Sequence, residues 1–166
     1  MAVNFPVGEV VQSRQLLSNS NPSALFSDWI QTRFTGFVVL TIDGFFGIEE
    51  AVVFFRDGET IGSVYTYDFF DVTVYSQIAL ESSVNAFLAK HGVFDAVELS
   101  HQQVDLVLAL DDRIRVRFPV KKADLESLFK EVFSPRFGKA ALKFPAAPTG
   151  ERHQLLKKLG LGELVS

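Results

Sequence analysis

The sequence predicts an α+β fold: a mostly antiparallel sheet over residues 37 to 118, packed by helices and followed by a basic helical C-terminal appendage. Three observations point there. AVVFF (51–55) and TIGSVYTY (60–67) flank Arg56-Asp57-Gly58-Glu59, and Asp-Gly between two β-rich runs marks a hairpin because both central turn residues need positive φ. Leu25, Phe26, Trp29 and Ile30 recur at helical spacing. In AVVFF, Val52 and Phe54 point one way and Val53 and Phe55 the other. Both faces of the sheet must therefore be covered, by its own helices or by a second copy of the chain.

The elements follow in order. Asn21-Pro22 starts a helix, Asn as the cap and Pro at the first helical position with φ already suitable. The helix runs to about Arg33, and FVVLTI (37–42) follows as a strand with Asp43-Gly44 as its turn signal. After the hairpin, DVTVY (71–75) favours a strand. IALESSVNAFLAKHG (78–92) reads as a helix with Lys90 and His91 in its last turn and Gly92 beyond. VFDAVEL (93–99) is a short strand. Ser100 and Gln103 form a capping box that opens a helix with Val104, Val107, Leu108 and Asp111 on one side. Next comes an arginine-rich strand ending at Pro119. A helix from about Ala123 to Phe133 buries Leu125, Leu128, Phe129, Val132 and Phe133. Residues 134–148 read as a loop, and a last helix spans Glu151 to Leu159.

Composition fits this picture. Apolar residues make up 48% of the 166 and charged residues 22%, which excludes a disordered chain. Seventeen phenylalanines predict an aromatic core, since Phe brings large apolar area and no polar group to satisfy. The absence of cysteine excludes disulfides, thiolate metal sites and cysteine catalysis. MAVNFPVGEVV carries no signal-peptide pattern, and runs such as FVVL are too short to span a bilayer. A soluble cytoplasmic protein with no membrane partner is expected.

The net charge of −4 hides a split. Residues 1–112 hold 15 acidic and 4 basic side chains, a balance of −11; residues 113–166 hold 5 and 12, a balance of +7. Two parts are predicted: an acidic α+β core module over 1–120, and a basic helical extension over 121–166 packed on or beside it. The asymmetry fits a binding surface on the C-terminal part, head-to-tail self-association, or complementarity between the halves.

The run from Leu25 to Tyr67 joins an amphipathic helix to TGFVVL (35–40), VVFFRDG (52–58) and IGSVY (61–65). In that order it resembles the PATAN-type module of bacterial signalling proteins, and more closely an uncharacterised archaeal family. There a helix precedes a TG-V-L strand and an F-x-D/N-G-x-I-x-x-x-Y hairpin. ERHQLLKKLGLGEL (151–164) is similar to the tail of the archaeal family. The resemblance implies an α+β interaction module with no established catalytic residues.

No catalytic signature stands out. His91, His101 and His153 sit in separate elements without a spaced partner, so a histidine metal site is not expected. His91 reads as a favourable charge near a helix C-terminus. Glu49-Glu50 and Asp111-Asp112 could divide acid and base roles, but adjacent acids in loops and at helix ends read as solvated. Asp111-Asp112 can pair with the arginines beside them. Phe133 to Ala140 is similar to a phosphate loop but has Phe133 where the first glycine belongs and Ala140 where a hydroxyl is needed. No cofactor is implied.

The sharpest feature is DDRIRVRFPVKK (111–122). Arg113, Arg115 and Arg117 alternate with Ile114, Val116 and Phe118, the pattern of a half-buried strand with a cationic wet face. With Lys121, Lys122, Arg136, Lys139 and Lys143 they are candidates to bind an acidic partner or nucleic acid, with Phe137 and Phe144 as possible base stackers. The sequence predicts a non-catalytic adaptor or regulatory module that binds another protein or itself as a homodimer. Nucleic-acid binding is the alternative and an unrecognised enzyme a third reading.

Overall fold

The Asp-Gly hairpin forms as its residues dictate, joining β3 (Gly47–Arg56) to β4 (Glu59–Tyr67). Asp57 and Gly58 sit at φ 52° and 83°, as a tight two-residue turn requires. At position 58 a side chain would also strike the Ile30 carbonyl oxygen at 2.7 Å. The computed structural model describes residues 5–143. The hairpin lies within a six-stranded sheet of order β1-β6-β2-β3-β4-β5, whose other strands are β1 (Glu9–Leu16), β2 (Gly36–Gly44), β5 (Val72–Tyr75) and β6 (Gly92–Glu98). Every neighbouring pair is antiparallel.

Helices α1 (Pro22–Gln31) and α2 (Ser76–Ala86) cover one face of the sheet, and α3 (His101–Leu110) covers the other. Asn21 caps α1 by accepting from the Ala24 N–H, and both halves of the Ser100–Gln103 capping box are formed. Val53 and Phe55 enter the α1/α2 core while Val52 and Phe54 enter the α3 core. The chain's own elements thus cover the doubly apolar strand, which gives no argument for a second copy. Phe26 is completely buried, with the rings of Trp29, Phe55, Phe87 and Phe129 within 5.1–6.0 Å. Full burial of such a side chain contributes roughly 1.5–3 kcal/mol.

The sheet differs from the expectation at both ends. It begins with β1, which the sequence does not announce because the strand is exposed on both sides and so shows no apolar alternation. Arg14 bulges at φ 48° and its N–H finds the Asp95 carboxylate at 2.8 Å. The sheet ends at Glu98, not at residue 118, because residues 112–118 form no strand. Within it, Gly44 pairs with Gly47, so the β2–β3 turn is Phe45-Phe46 and Asp43-Gly44 is the end of the strand.

Two helices also differ. Helix α2 stops at Ala86; Lys90 and His91 lie beyond it in a bend, and the His91 carbonyl accepts from the Asp43 N–H at 3.0 Å. His91 is therefore not a helix-end charge. The helix expected over 123–133 is only α4 (Leu125–Leu128). Phe129 lies 5.3 Å from Phe26 and Phe133 stacks on Phe45 at the β2–β3 turn, 4.8 Å away; the chain unwinds between these two anchors and leaves Val132 82% exposed. A further helix, α5 (Arg136–Ala141), stands in the stretch expected to be loop. Leu125 is buried in the same core as Phe26. The helix expected over 151–159, and Phe144, lie outside the described residues.

Candidate functional site

Residues 111–122 form an irregular spur beside the start of β4. Strand β5 takes the β4 edge from Val64 to Tyr67, so the spur is left with one bridge, Gly62 to Arg115, and a bond from the Val116 N–H to the Ile61 carbonyl at 2.9 Å. Ile114 is fully buried, but Phe118 is 71% exposed instead of facing inward. The alternation is real in the sequence and has no ladder to serve.

Two of the three arginines are neutralised by the acids just before them. Arg113 holds Asp111 through two nitrogens at 2.9 and 2.8 Å and lies 4.4 Å from the centre of the Tyr75 ring. That hydrogen bond keeps the Asp111 carboxyl below the usual carboxylate range. Arg115 meets Asp112 at 2.6 Å. Among the described residues, Arg117, Lys121 and Lys122 form no ion pair. Phe118 between them is fixed by its backbone: its N–H donates to the Gln77 side chain at 3.1 Å and its carbonyl accepts from the Gln77 amide at 3.3 Å.

The remaining candidates stand elsewhere. Arg136, on α5, pairs with Glu131 at 3.3 Å and lies over the Phe137 ring at 4.7 Å. Lys139 and Lys143 accompany it without an ion pair among the described residues. The Val120 N–H bonds Thr60 near the start of β4, whereas Gly138 packs on Tyr67 at its end. Seven residue steps separate Thr60 from Tyr67, about 23 Å at the usual rise. The basic side chains thus form two groups at opposite ends of β4.

Two features escape the sequence reading. His101 does have a partner: its Nε2 lies 2.9 Å from Asp57 Oδ1, a contact the fold makes across 44 residues. Asp57 also draws Arg33 to 3.8 Å and Arg56 to 3.4 Å, and Arg56 reaches Asp105 at 3.0 Å. Asp57, His101 and Arg33 border an open cleft of about 440 Å³ lined by Thr32 to Thr35, Asp57 and Glu98 to His101. Ser100 does not complete a nucleophilic relay, because its hydroxyl accepts from the Gln103 N–H and no hydrogen bond joins it to His101 among the described residues.

The second is Glu49, which is not solvated. Only 3% of it is exposed, and its Oε2 is buried without a hydrogen-bond partner among the described residues. Burial pushes its carboxyl up to about 7, opposed in part by the Tyr65 hydroxyl that bonds it. Tyr67, opposite it on β4, is itself pushed up to about 12 by burial. Glu50 is raised by burial and by Asp68. Charge counting along the chain gives no sign of a buried acid; only the register that aligns Glu49 with Ile42 and Tyr67 reveals it.

With this geometry in hand, comparison with known proteins gives a family match. Residues 3–111 fit the model of a family of uncharacterised proteins conserved in archaea, DUF2226. The chain belongs to DUF2226. The matched DUF2226 span holds the whole sheet, the Asp57–His101 cleft and Glu49, while all eight basic candidates lie after it. No curated protein and no solved structure matches the chain. Among the described residues no helix is long and apolar enough to cross a membrane, and no cluster of three metal-ligating side chains occurs.

Proposed function

We propose that the protein is a non-catalytic interaction module that docks an acidic protein surface on the 111–122 spur. The observation that supports it is Phe118: a large apolar ring, 71% exposed, held in place through its own backbone by Gln77 and flanked by Arg117, Lys121 and Lys122, which form no ion pair among the described residues. A pre-positioned aromatic ringed by cations suits an anchor that enters a pocket while the charges steer an acidic rim. The likeness of the helix-plus-hairpin to PATAN-type modules supports an interaction role. A cytoplasmic location, and a second copy of the chain as one partner, belong to the same reading.

Nucleic-acid binding is the competing proposal, resting on the same cations. Two observations weigh against it: Arg113 and Arg115 are engaged by aspartates, and the α5 cations lie at the far end of β4. Titrating labelled oligonucleotides and a labelled acidic peptide containing aromatic residues against the protein, over a range of salt, separates the two. Peptide binding that weakens in Phe118→Ala and Arg117→Glu, with no retention of oligonucleotide at low salt, is expected. Oligonucleotide binding with a steep salt slope, about −0.9 per phosphate contacted on duplex, would replace the protein reading. Loss of both would remove the spur from consideration.

A further inference from the structure

We propose that Glu49 is a proton-operated latch that holds the 134–143 strap on the sheet: the neutral carboxyl lets the strap seat, and the carboxylate unseats it. Glu49 lies on the face of β3 that looks into the α1/α2 core, opposite Tyr67 and folded against the bare backbone of Gly44. The strap covers the Tyr67 side of this corner. A side chain at Gly138 of α5 would collide with the Phe46 ring unless that ring moved, and Gly138 also lies against Tyr67, which pairs with Glu49 across the strands.

A neutral carboxyl can reside in this corner at modest cost, with the Tyr65 hydroxyl as its partner. An ionised one cannot, because a buried charge without a counter-charge is strongly disfavoured. The charged and titratable groups around it supply no counter-charge, and the Tyr65 hydroxyl offsets only part of the burial effect. From β4 come Tyr65 and Tyr67, and from α2 the Ser82 hydroxyl, which donates to the Ile78 carbonyl at 2.9 Å. The turn after β4 brings Asp68, another acid, which raises Glu50. Beside Gly44 on β2 stands Asp43. Helix α5 carries Arg136, committed to Glu131, and Lys139, which is exposed. No cation is among the causes that set the Glu49 carboxyl.

An ionised Glu49 must therefore reach water, and the element that yields most readily is the strap. Among the described residues its hydrogen bonds to α2 come from one side chain, Asn85, which donates to the Ser134 carbonyl and accepts from the Ser134 N–H, both at 2.9 Å. Beyond that lie the glycine contact and the partly buried Phe133, Ala141 and Leu142. The sheet beneath is locked on both sides of β3.

Hydrogen exchange of the Ser134, Lys139 and Leu142 amides, corrected for the intrinsic effect of pH, tests the latch. Opening lets the carboxyl return to its ordinary value, so it grows about tenfold per pH unit between 4.5 and 7 and levels off above 7. The wild-type strap should lose about tenfold in protection between pH 6 and 8.5, and Glu49→Gln should lose none. Unchanged wild-type protection, or the same loss in the Gln variant, would overturn the proposal. Carboxyl-carbon NMR of the wild-type chain provides a second readout that needs no variant. A Glu49 midpoint near 7 supports the latch, and one near the ordinary 4.5 ends it.

Discussion

His101 Nε2 lies 2.9 Å from Asp57 Oδ1 and so ties the tip of the β3–β4 hairpin to the first turn of α3. The pair sits at the open cleft with both side chains partly in water, so its contribution is modest. Asp57→Asn, which keeps a residue tolerant of positive φ, should cost under about 1 kcal/mol in urea unfolding. Gly58→Ala should cost about 2 kcal/mol or more, because it combines left-handed backbone with a collision against the Ile30 carbonyl. Equal effects of the two would mean that the turn owes its shape to the charges.

Stability should fall as pH rises through the neutral range. Glu49 takes up its proton more tightly in the folded chain, at about 7 against an ordinary 4.5. The folded state therefore binds more protons than the unfolded one between these values. The protonated form's advantage is complete below pH 4.5 and lost as pH climbs through 7, with a ceiling of about 3 kcal/mol. Thermal and urea unfolding at pH 5.5 and 8.5 should show that decline in the wild type and a nearly flat response in Glu49→Gln. The other carboxylates contribute in both proteins, so the difference between them is the quantity to read.

The strap's anchor makes a separate forecast. Asn85→Ala leaves the Ser134 N–H and carbonyl without their partner, which should lower stability by about 1–3 kcal/mol. Its larger effect should be local. Limited proteolysis near residues 130–136 should accelerate while the sheet amides keep their protection.

Phe118 and Phe26 should behave oppositely. Phe26→Ala removes a ring that is completely buried among four others and should cost about 3–5 kcal/mol. Phe118→Ala removes one that is 71% exposed and should change stability by no more than about 0.5 kcal/mol. Chemical denaturation of both variants checks this. Substantial destabilisation by the Phe118 change would make the ring a structural part and weaken its role as an anchor.

What could be read from the sequence was what is local. The Asp-Gly turn, the Asn21 cap and the Ser100 capping box are decided by neighbours within four residues, and each is formed. Features decided across the fold were hidden. β1 shows no alternation because neither of its faces is buried. The arginine spur shows alternation but meets a β4 edge already occupied by β5. The strand-pairing register buries Glu49, and no pattern around Glu49-Glu50 distinguishes it from a wet acid. The Asp57–His101 pair is invisible for the same reason, and so is the break after Leu128, where Phe26 and Phe45 draw Phe129 and Phe133 to different places.

The strand order has a consequence for how the chain assembles. Strands β2 to β5 follow one another through short connections, so each can pair as soon as its neighbour exists. β1 is different: its first residue, Glu9, must find Glu98, and closing so long a loop is slow compared with zipping hairpins. During synthesis the first strand emerges early and waits, mostly polar and unpaired, until β6 has joined β2. We therefore expect β1 to dock last. Pulse-labelling exchange during refolding should protect β3 amides before those of β1, and simultaneous protection would refute this order. That delay gives a physical reason for an N-terminal strand so poor in apolar alternation, since a greasier one would spend the wait exposed to other chains.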